Sequence, residues 1–431
     1  MVKNFEIVGH SYFRGPWLTP GSPGAGVNTL RICGNVAILG GYNPTVYGAL
    51  IVDVSNPANM QVLSFIPGNP GTRTAYLRVD CGRKIPAIGH SNWPENPNKP
   101  PAGQPLKSGV TFHDFSNPRN PEKLAEWNNA GGQTHGMEMD EKYVYTCGTM
   151  ERSKRRNEEV IILDYTVATA PKVAATWHMM GQHEGETFSP LNQKNPNGQT
   201  DQFIQCHEIV KDGDRLYLAY RDAGVIILDI SNPANPTEVG TFDYVPPFNG
   251  DPGVPLGCCP GGHTAAPVPH EGKPLPSLLI LTDEHFNCPP GFGWVLDISN
   301  PKAIMVLSTY HVEGVNDQYD FATNKFVCKP GQQSAHLPWF DPRGRGALFY
   351  QAWYDQGLRA MDISNPFKPK EVGYFISPDF SVPKQVGRHT REAYGDPATN
   401  LIYVTDGNGG GVTVLRYTGP IPQRPPIPGA R

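Results

Sequence analysis

Short runs of β-branched and apolar residues recur along the chain, and most are closed by Asp and a polar turn that contains proline. They read GALIVDVSNPANM from Gly48, GVTFHDFSNPRNP from Gly109, GVIILDISNPANP from Gly224, GWVLDISNPKAIM from Gly293 and GLRAMDISNPFKP from Gly357. EVIILDYTVATAP from Glu159 is a degenerate copy, and GVTVLRY from Gly411 lacks the turn. The alternating apolar run predicts a strand. The Ser-Asn-Pro segment predicts a turn, because Ser and Asn bond their own backbone and Pro cannot continue a ladder. A second strand follows it, as in TEVGTF, and two more precede it, as in QCHEIV, the turn KDGD and LYLAY. Each copy is thus four antiparallel strands, a unit that buries its faces by stacking on its neighbours.

Asp53, Asp114, Asp164, Asp229, Asp297 and Asp362 mark six copies, with Arg416 in the same place in a seventh. The expectation is an all-β, seven-bladed β-propeller. The last copy lacks its fourth strand, and FEIVGHSYF from Phe5 matches outer strands such as TEVGTFDY and KEVGYFI. The N-terminal strand is therefore expected to complete the last blade, which removes an open sheet edge. Residues 1–417 form the propeller on this reading, and the Pro-rich residues 418–431 a tail, either an extended strap or a disordered end. On ALIVDVSNP, VIILDISNP and WVLDISNP the chain resembles the LVIVD-repeat family of β-propellers. The resemblance implies the fold and leaves activity open, since propellers host many functions.

Composition narrows the partners. Gly 47 and Pro 45 follow the repeat and mark turns. A net charge of −4 argues against nucleic acid or an anionic membrane surface as partner. No apolar run reaches the roughly 20 residues of a spanning helix, and the first ten residues lack the apolar core of a signal peptide. The expected compartment is the cytoplasm, or the periplasm or exterior if a leader has been removed. The eight cysteines show no CxxC pair and read as small buried hydrophobes. Cys258 and Cys259, adjacent in a Gly/Pro-rich stretch, are candidates for a vicinal disulfide or a soft-metal contact.

Five of the 13 histidines fall at one place in the repeat: His135, His207, His263, His336 and His389. Each opens the innermost strand of its unit, so all five are expected on one face around the central axis. Asn28 and Tyr76 hold the place in the first two units. Converging neutral imidazoles are the donor set of a divalent transition metal, here iron before manganese, zinc or copper. Glu138, Glu208 and Glu392, one or three residues on, are candidate carboxylates behind the ligands. Hairpins on the same face add Tyr220, Arg221, Asp222, Asp283, Glu284, His285, Trp353, Tyr354, Asp355 and Asp406, with Arg388 and Arg391 beside His389. Long connections, His178 to Cys206, Asp243 to Gly262 and His311 to Ala335, are expected to wall the mouth.

Three functions fit. The first is a metal-dependent oxidative enzyme acting on a small aromatic or carboxylated substrate. It is similar in concept to the iron-dependent carotenoid-cleaving oxygenases, which hold iron with four His on a propeller; no motif here matches theirs. The second is a lyase or hydrolase using His and Tyr as acid and base at the same mouth. The third is a non-enzymatic interaction scaffold. The candidate reacting and substrate-holding residues are Arg221, Tyr354, Arg391 and His285.

Overall fold

The Asp-Ile-Ser-Asn-Pro phrase folds as two consecutive Asx turns. In one copy Asp229 Oδ1 accepts from Ser231 N at 2.9 Å, and Asn232 Oδ1 accepts from Ala234 N at 3.2 Å. Asp297 with Asn300 and Asp362 with Asn365 repeat both bonds. Both side chains bond backbone two residues ahead and turn the chain within a few residues. That is why Asp, Ser and Asn recur where core packing does not require them.

The protein is described by a computed structural model. It covers residues 1–423 apart from 43–44, 75, 94–95, 130–131, 151–157, 181, 184–185, 187–203, 244–260, 271–274, 287, 289, 316–318, 324, 328–330, 332 and 378–388. Most of the long mouth connections, Arg388, and Cys258 with Cys259 lie outside the described residues. Among those described, the helical elements are two 3₁₀ turns, Pro57–Asn59 and Pro342–Gly344.

The strands pair antiparallel with their sequence neighbours. Val27–Cys33, Val36–Gly41, Gly48–Asp53 and Gln61–Pro67 form the first sheet in that order. The second runs from Leu77–Asp80 through Ile85–Asn92 and Gly109–Asp114 to Glu122–Asn128, and the third from Thr134–Met139 through Tyr143–Gly148 and Glu159–Asp164 to Lys172–Trp177. The fourth starts at Ile204–Asp212 and the fifth at Gly262–Pro267, the two joined into one eight-stranded sheet where Arg221 pairs with Gly262, and the sixth starts at Pro338–Phe340. In the last sheet Thr390–Asp396, Leu401–Asp406 and Gly411–Tyr417 are joined by Phe5–Ser11, with Phe5 opposite Tyr417. Val2–Lys3 reaches further, pairing with Lys370–Phe375 of the sixth sheet.

The core lies between sheets. Apolar side chains from each sheet pack against the next in sequence; Leu39 and Leu50 of the first sheet share a cluster with Tyr403 and Val414 of the last. Two disulfides join neighbouring sheets. Cys33–Cys81 links the first to the second and Cys147–Cys206 the third to the fourth, while Cys288 is also oxidised. The reading of these cysteines as reduced small hydrophobes is thereby corrected: Cys147 and Cys206 are buried as expected, but as a cross-link. Periodicity cannot show which cysteines face each other across two sheets.

Candidate metal and substrate site

The inner strands are regular except at their starts. Pairing with the second strand slips between Val27 and Thr29, Thr134 and Met137, Ile204 and Glu208, Gly262 and Thr264, and Thr390 and Ala393. Asn28, His135, His207, His263 and Arg391 all sit inside these slips. A bulge frees a residue from the ladder and re-aims its side chain. Here it turns one polar residue per sheet toward its counterparts.

The hairpins after the second strands supply the other half. Arg221 and Tyr354 occupy the same place in AYRDAG and AWYDQG and share a positive φ, 49° and 29°. The turns match: Tyr220 N donates to Gly224 O and Gly224 N to Arg221 O, while Trp353 N donates to Gly357 O and Gly357 N to Tyr354 O. Left-handed backbone at a non-glycine residue costs energy and marks functional sites. In the last sheet the hairpin carries Gly407, where a Cβ would meet His389 Nδ1 at 2.6 Å. Asp406 shapes that turn by accepting from Asn408 N and Gly410 N, and it also accepts from His389 N.

These elements bring the five histidines together. Ring centroids lie 4.1 Å apart for His135–His207, 4.5 Å for His207–His263 and 4.0 Å for His263–His336. Tyr354 lies between His336 and His389, at 4.8 and 4.6 Å. Tyr76 abuts His135 and Tyr42 abuts His389. All but His135 are fully buried as residues.

Two tautomers follow from the partners. His207 Nδ1 lies 3.3 Å from the carbonyl of His263, and His336 Nδ1 bonds the carbonyl of Arg391. A carbonyl only accepts, so both Nδ1 atoms carry the proton and both Nε2 atoms present a lone pair. His336 Nε2, His263 Nε2 and both ring nitrogens of His389 are buried with no hydrogen-bond partner. Burial, reinforced by the charges of Arg221 and Arg391, holds the His207, His263 and His336 imidazoles well below their usual range. They are neutral at pH 7, which is the ligating form.

One acid and two bases complete the cluster. Arg221 Nη2 is 3.0 Å from Glu284 Oε2, and Tyr354 OH donates to Glu284 Oε1. Arg391 Nη1 donates to Tyr354 OH at 3.0 Å and its Nε to Asn28 Oδ1 at 2.6 Å. Burial acts to raise the Glu284 carboxyl, but the charges of Arg221 and Arg391 and the Tyr354 bond outweigh it, bringing it to about 2. Burial, then Glu284, pushes the Tyr354 hydroxyl well above its usual range. Donor atoms of His207, His263 and Glu284 fall within 4.8 Å of one another. Two imidazoles and a carboxylate fit a divalent transition metal.

Several expectations need correction. Glu138 pairs with Arg78 at 3.0 Å, and Glu392 accepts from Leu30 N and Arg31, both at 2.8 Å, so neither backs a histidine. Glu208 is buried, and burial raises its carboxyl to about 8. The carboxylates at the histidines are Glu284, 3.8 Å from His207 Nε2, and Glu158, 3.2 Å from His135 Nδ1. Glu158 and Tyr42 were not anticipated; Tyr42 lies at the end of a second strand, as Arg221 and Tyr354 do, the one signal that could have found it. Tyr220 bonds Gln182 and packs in the core between the third and fourth sheets. Trp353 is likewise core, its Nε1 donating to Gln333 O. Asp283 accepts from Trp294 Nε1. His285 is half-buried, its backbone N–H donating to Ser334 Oγ at 2.9 Å. Neither Arg221 nor Arg391 stands as an open clamp, since each is engaged within the cluster.

Comparison with known proteins bears on the scaffold. Residues 31–65, 207–244 and 346–376 match the LVIVD repeat. No curated protein matches the sequence. Among solved structures, the C-terminal WD40 domain of Sif2 is similar with a TM-score of 0.54 at 10% identity, over 96% of this chain and 99% of that one. The computationally designed Ika8 protein gives 0.47 at 11% identity over 93% and 98%, too loose a likeness to argue from. At such identities the likeness to Sif2 speaks for the fold alone. Three LVIVD repeats on a WD40-like arrangement of antiparallel sheets are consistent with an LVIVD-repeat β-propeller.

Proposed function

We propose that the chain is a seven-bladed ring closed by Phe5–Ser11, and that its histidine cluster is the site of a metal-dependent enzyme acting on a small carboxylated or phenolic molecule. The ring reading is supported by the pairing of Phe5–Ser11 with Gly411–Tyr417 and by the core shared between first and last sheets. The enzyme reading rests on one observation: bare Nε2 atoms, buried and without partners, on His263 and His336 beside His207 and Glu284. Buried polar atoms in native proteins are nearly always satisfied, so orphaned ring nitrogens converging on one place call for a missing partner such as a metal ion. His207, His263 and Glu284 would hold the metal, with His336 adjacent. Two imidazoles and a carboxylate suit ferrous iron, which favours the oxidative reading; manganese, zinc or copper would also be accepted.

Such an ion supplies Lewis acidity and, as iron, redox chemistry. The chain's own residues orient the substrate and move protons. Arg221 and Arg391 set a positive field that attracts a carboxylate or phenolate. Tyr354, donating to Glu284 and receiving from Arg391, is a proton donor rather than a base. That role would serve a lyase or hydrolase equally, the second reading of the same site.

The test is elemental analysis of untagged protein together with turnover of aromatic carboxylates under air and under nitrogen. Loss of one equivalent of transition metal in His207→Ala/His263→Ala, with oxygen-dependent turnover by the parent, supports the oxidative reading. Metal-dependent turnover without oxygen supports the lyase or hydrolase. A metal stoichiometry that is undiminished in the double variant rules the site out. Full partner binding by a metal-free protein lacking these histidines would make the chain a scaffold.

A further inference from the structure

Glu158 and Glu159 are adjacent, and a strand turns successive side chains to opposite faces. Glu158 faces His135 in the central cluster; Glu159 faces away, toward the edge of the third sheet. There it meets two histidines that the central site does not use. His183 Nε2 lies 3.4 Å from Glu159 Oε2 and His178 Nδ1 lies 4.0 Å from the same oxygen. The two imidazoles stack, with centroids 3.7 Å apart and planes 8° from parallel.

The arrangement is fixed from both sides. His178 directly follows the outer strand Lys172–Trp177, whose Trp177 pairs with Val160, so His178 arrives opposite Glu159. Met179 N donates to Gln182 Oε1 at 2.7 Å, and Gln182 Nε2 donates to Ile204 O, pinning the turn that brings His183 back over His178. Glu186 closes the set. Its Oε1 sits 2.8 Å from His178 Nε2, and its Oε2 accepts from His183 N at 3.2 Å. A carboxylate on one nitrogen of an imidazole fixes the tautomer and leaves the other nitrogen as donor. Glu186 does this for His178 and turns its Nδ1 lone pair toward Glu159.

We infer that Glu159, His178 and His183 form a second, peripheral site for a divalent transition ion of the zinc class, with Glu186 as the residue that orients His178. The donor atoms lie within 4.8 Å of one another. Three protein ligands leave a coordination position open. Glu159 is buried and His183 is partly exposed, so the position faces solvent. The inference stands independently of the central site, because it shares no ligand with it.

Untagged full-length protein, stripped with a chelator, would be titrated with Co²⁺ and followed by its d–d absorption and by calorimetry. The decisive background is His207→Ala/His263→Ala, which removes two central donors. It is expected to retain one equivalent of Co²⁺, and adding His183→Ala should abolish that equivalent. Glu186→Gln should weaken the remaining site about 10- to 100-fold without removing it. Binding that is undiminished by His183→Ala, or no binding in the central-site background, overturns the proposal. If that background does not fold, His183→Ala alone decides: its exposed site tolerates truncation, and its Co²⁺ stoichiometry must fall by one from that of the parent.

Discussion

At the scale of single residues, Arg391 shows how far spacing can mislead. Its place beside His389 suggested a substrate-holding residue. Its guanidinium instead donates to Asn28 of the first sheet and to Tyr354, and stacks 4.4 Å above the Tyr42 ring. Arg391→Ala should therefore lower both activity and stability, the latter by about 2–4 kcal/mol for a buried charged hydrogen-bonding group. Calorimetry on Arg391→Ala, with Asn28→Ala and the double variant, checks this. The two single losses should not add, because they share one bond, and an unchanged melting temperature for Arg391→Ala would refute the structural role. The histidines, by contrast, were legible, because a repeat keeps one register and copies of one residue type in that register converge; His389 departs from it, standing two residues before Arg391, which takes the slip in the last sheet. Glu284 was legible only as a rim residue. Its pairing with Arg221 joins hairpins of two different sheets, and no local pattern encodes that.

At the scale of elements, the repeat was readable because each strand alternates and each turn carries its own hydrogen-bonding residues. The slips at the inner strand starts were not readable. They add no composition signal, yet they aim His135, His207, His263 and Arg391. The N-terminal strand was legible by its likeness to other outer strands, but the pairing of Val2–Lys3 with the sixth sheet was not, being two residues long. Phe5–Ser11 covers the Gly411–Tyr417 edge, and Phe5 packs in the cluster between the sixth and last sheets. Deleting residues 1–11 would bare that edge and remove Phe5, at about 3–5 kcal/mol for the aromatic alone. The truncated chain is expected to melt at lower temperature and to aggregate on heating. Melting coincident with the full chain would mean that this strand is dispensable to stability.

At the scale of the whole molecule, neighbouring sheets meet mainly through side chains, so two long-range terms bear on stability: buried titratable groups and cross-links. In the second sheet burial depresses His90 to about 3 and His113 to about 4, and both bond Thr111 Oγ1. The unfolded chain takes up these protons below about pH 6.5 while the folded chain refuses them. Stability is thus fully present above about pH 6.5 and is lost as pH falls through the folded values, by about 1.4 kcal/mol per pH unit for each proton. Melting temperatures measured from about pH 7 to about pH 4 should fall, and His90→Gln should flatten the slope; an equal slope would remove His90 from the account. The cross-links act on the unfolded chain instead. Cys33–Cys81 and Cys147–Cys206 close loops of 48 and 59 residues, each tying one sheet to the next. Loop-closure entropy gives about 4 kcal/mol for each. Structural disulfides persist in oxidising compartments, so these two support the periplasmic or secreted alternative over the cytoplasm. Reduction should then lower the melting temperature markedly. Cys33→Ser/Cys81→Ser and Cys147→Ser/Cys206→Ser should each account for a separate share of the drop if the loops act independently, the rest belonging to the bond of Cys288. Thiol titration of the denatured, unreduced chain isolated from its own cells decides the compartment: protected cysteines support the oxidising reading, and eight free thiols would return the protein to the cytoplasm.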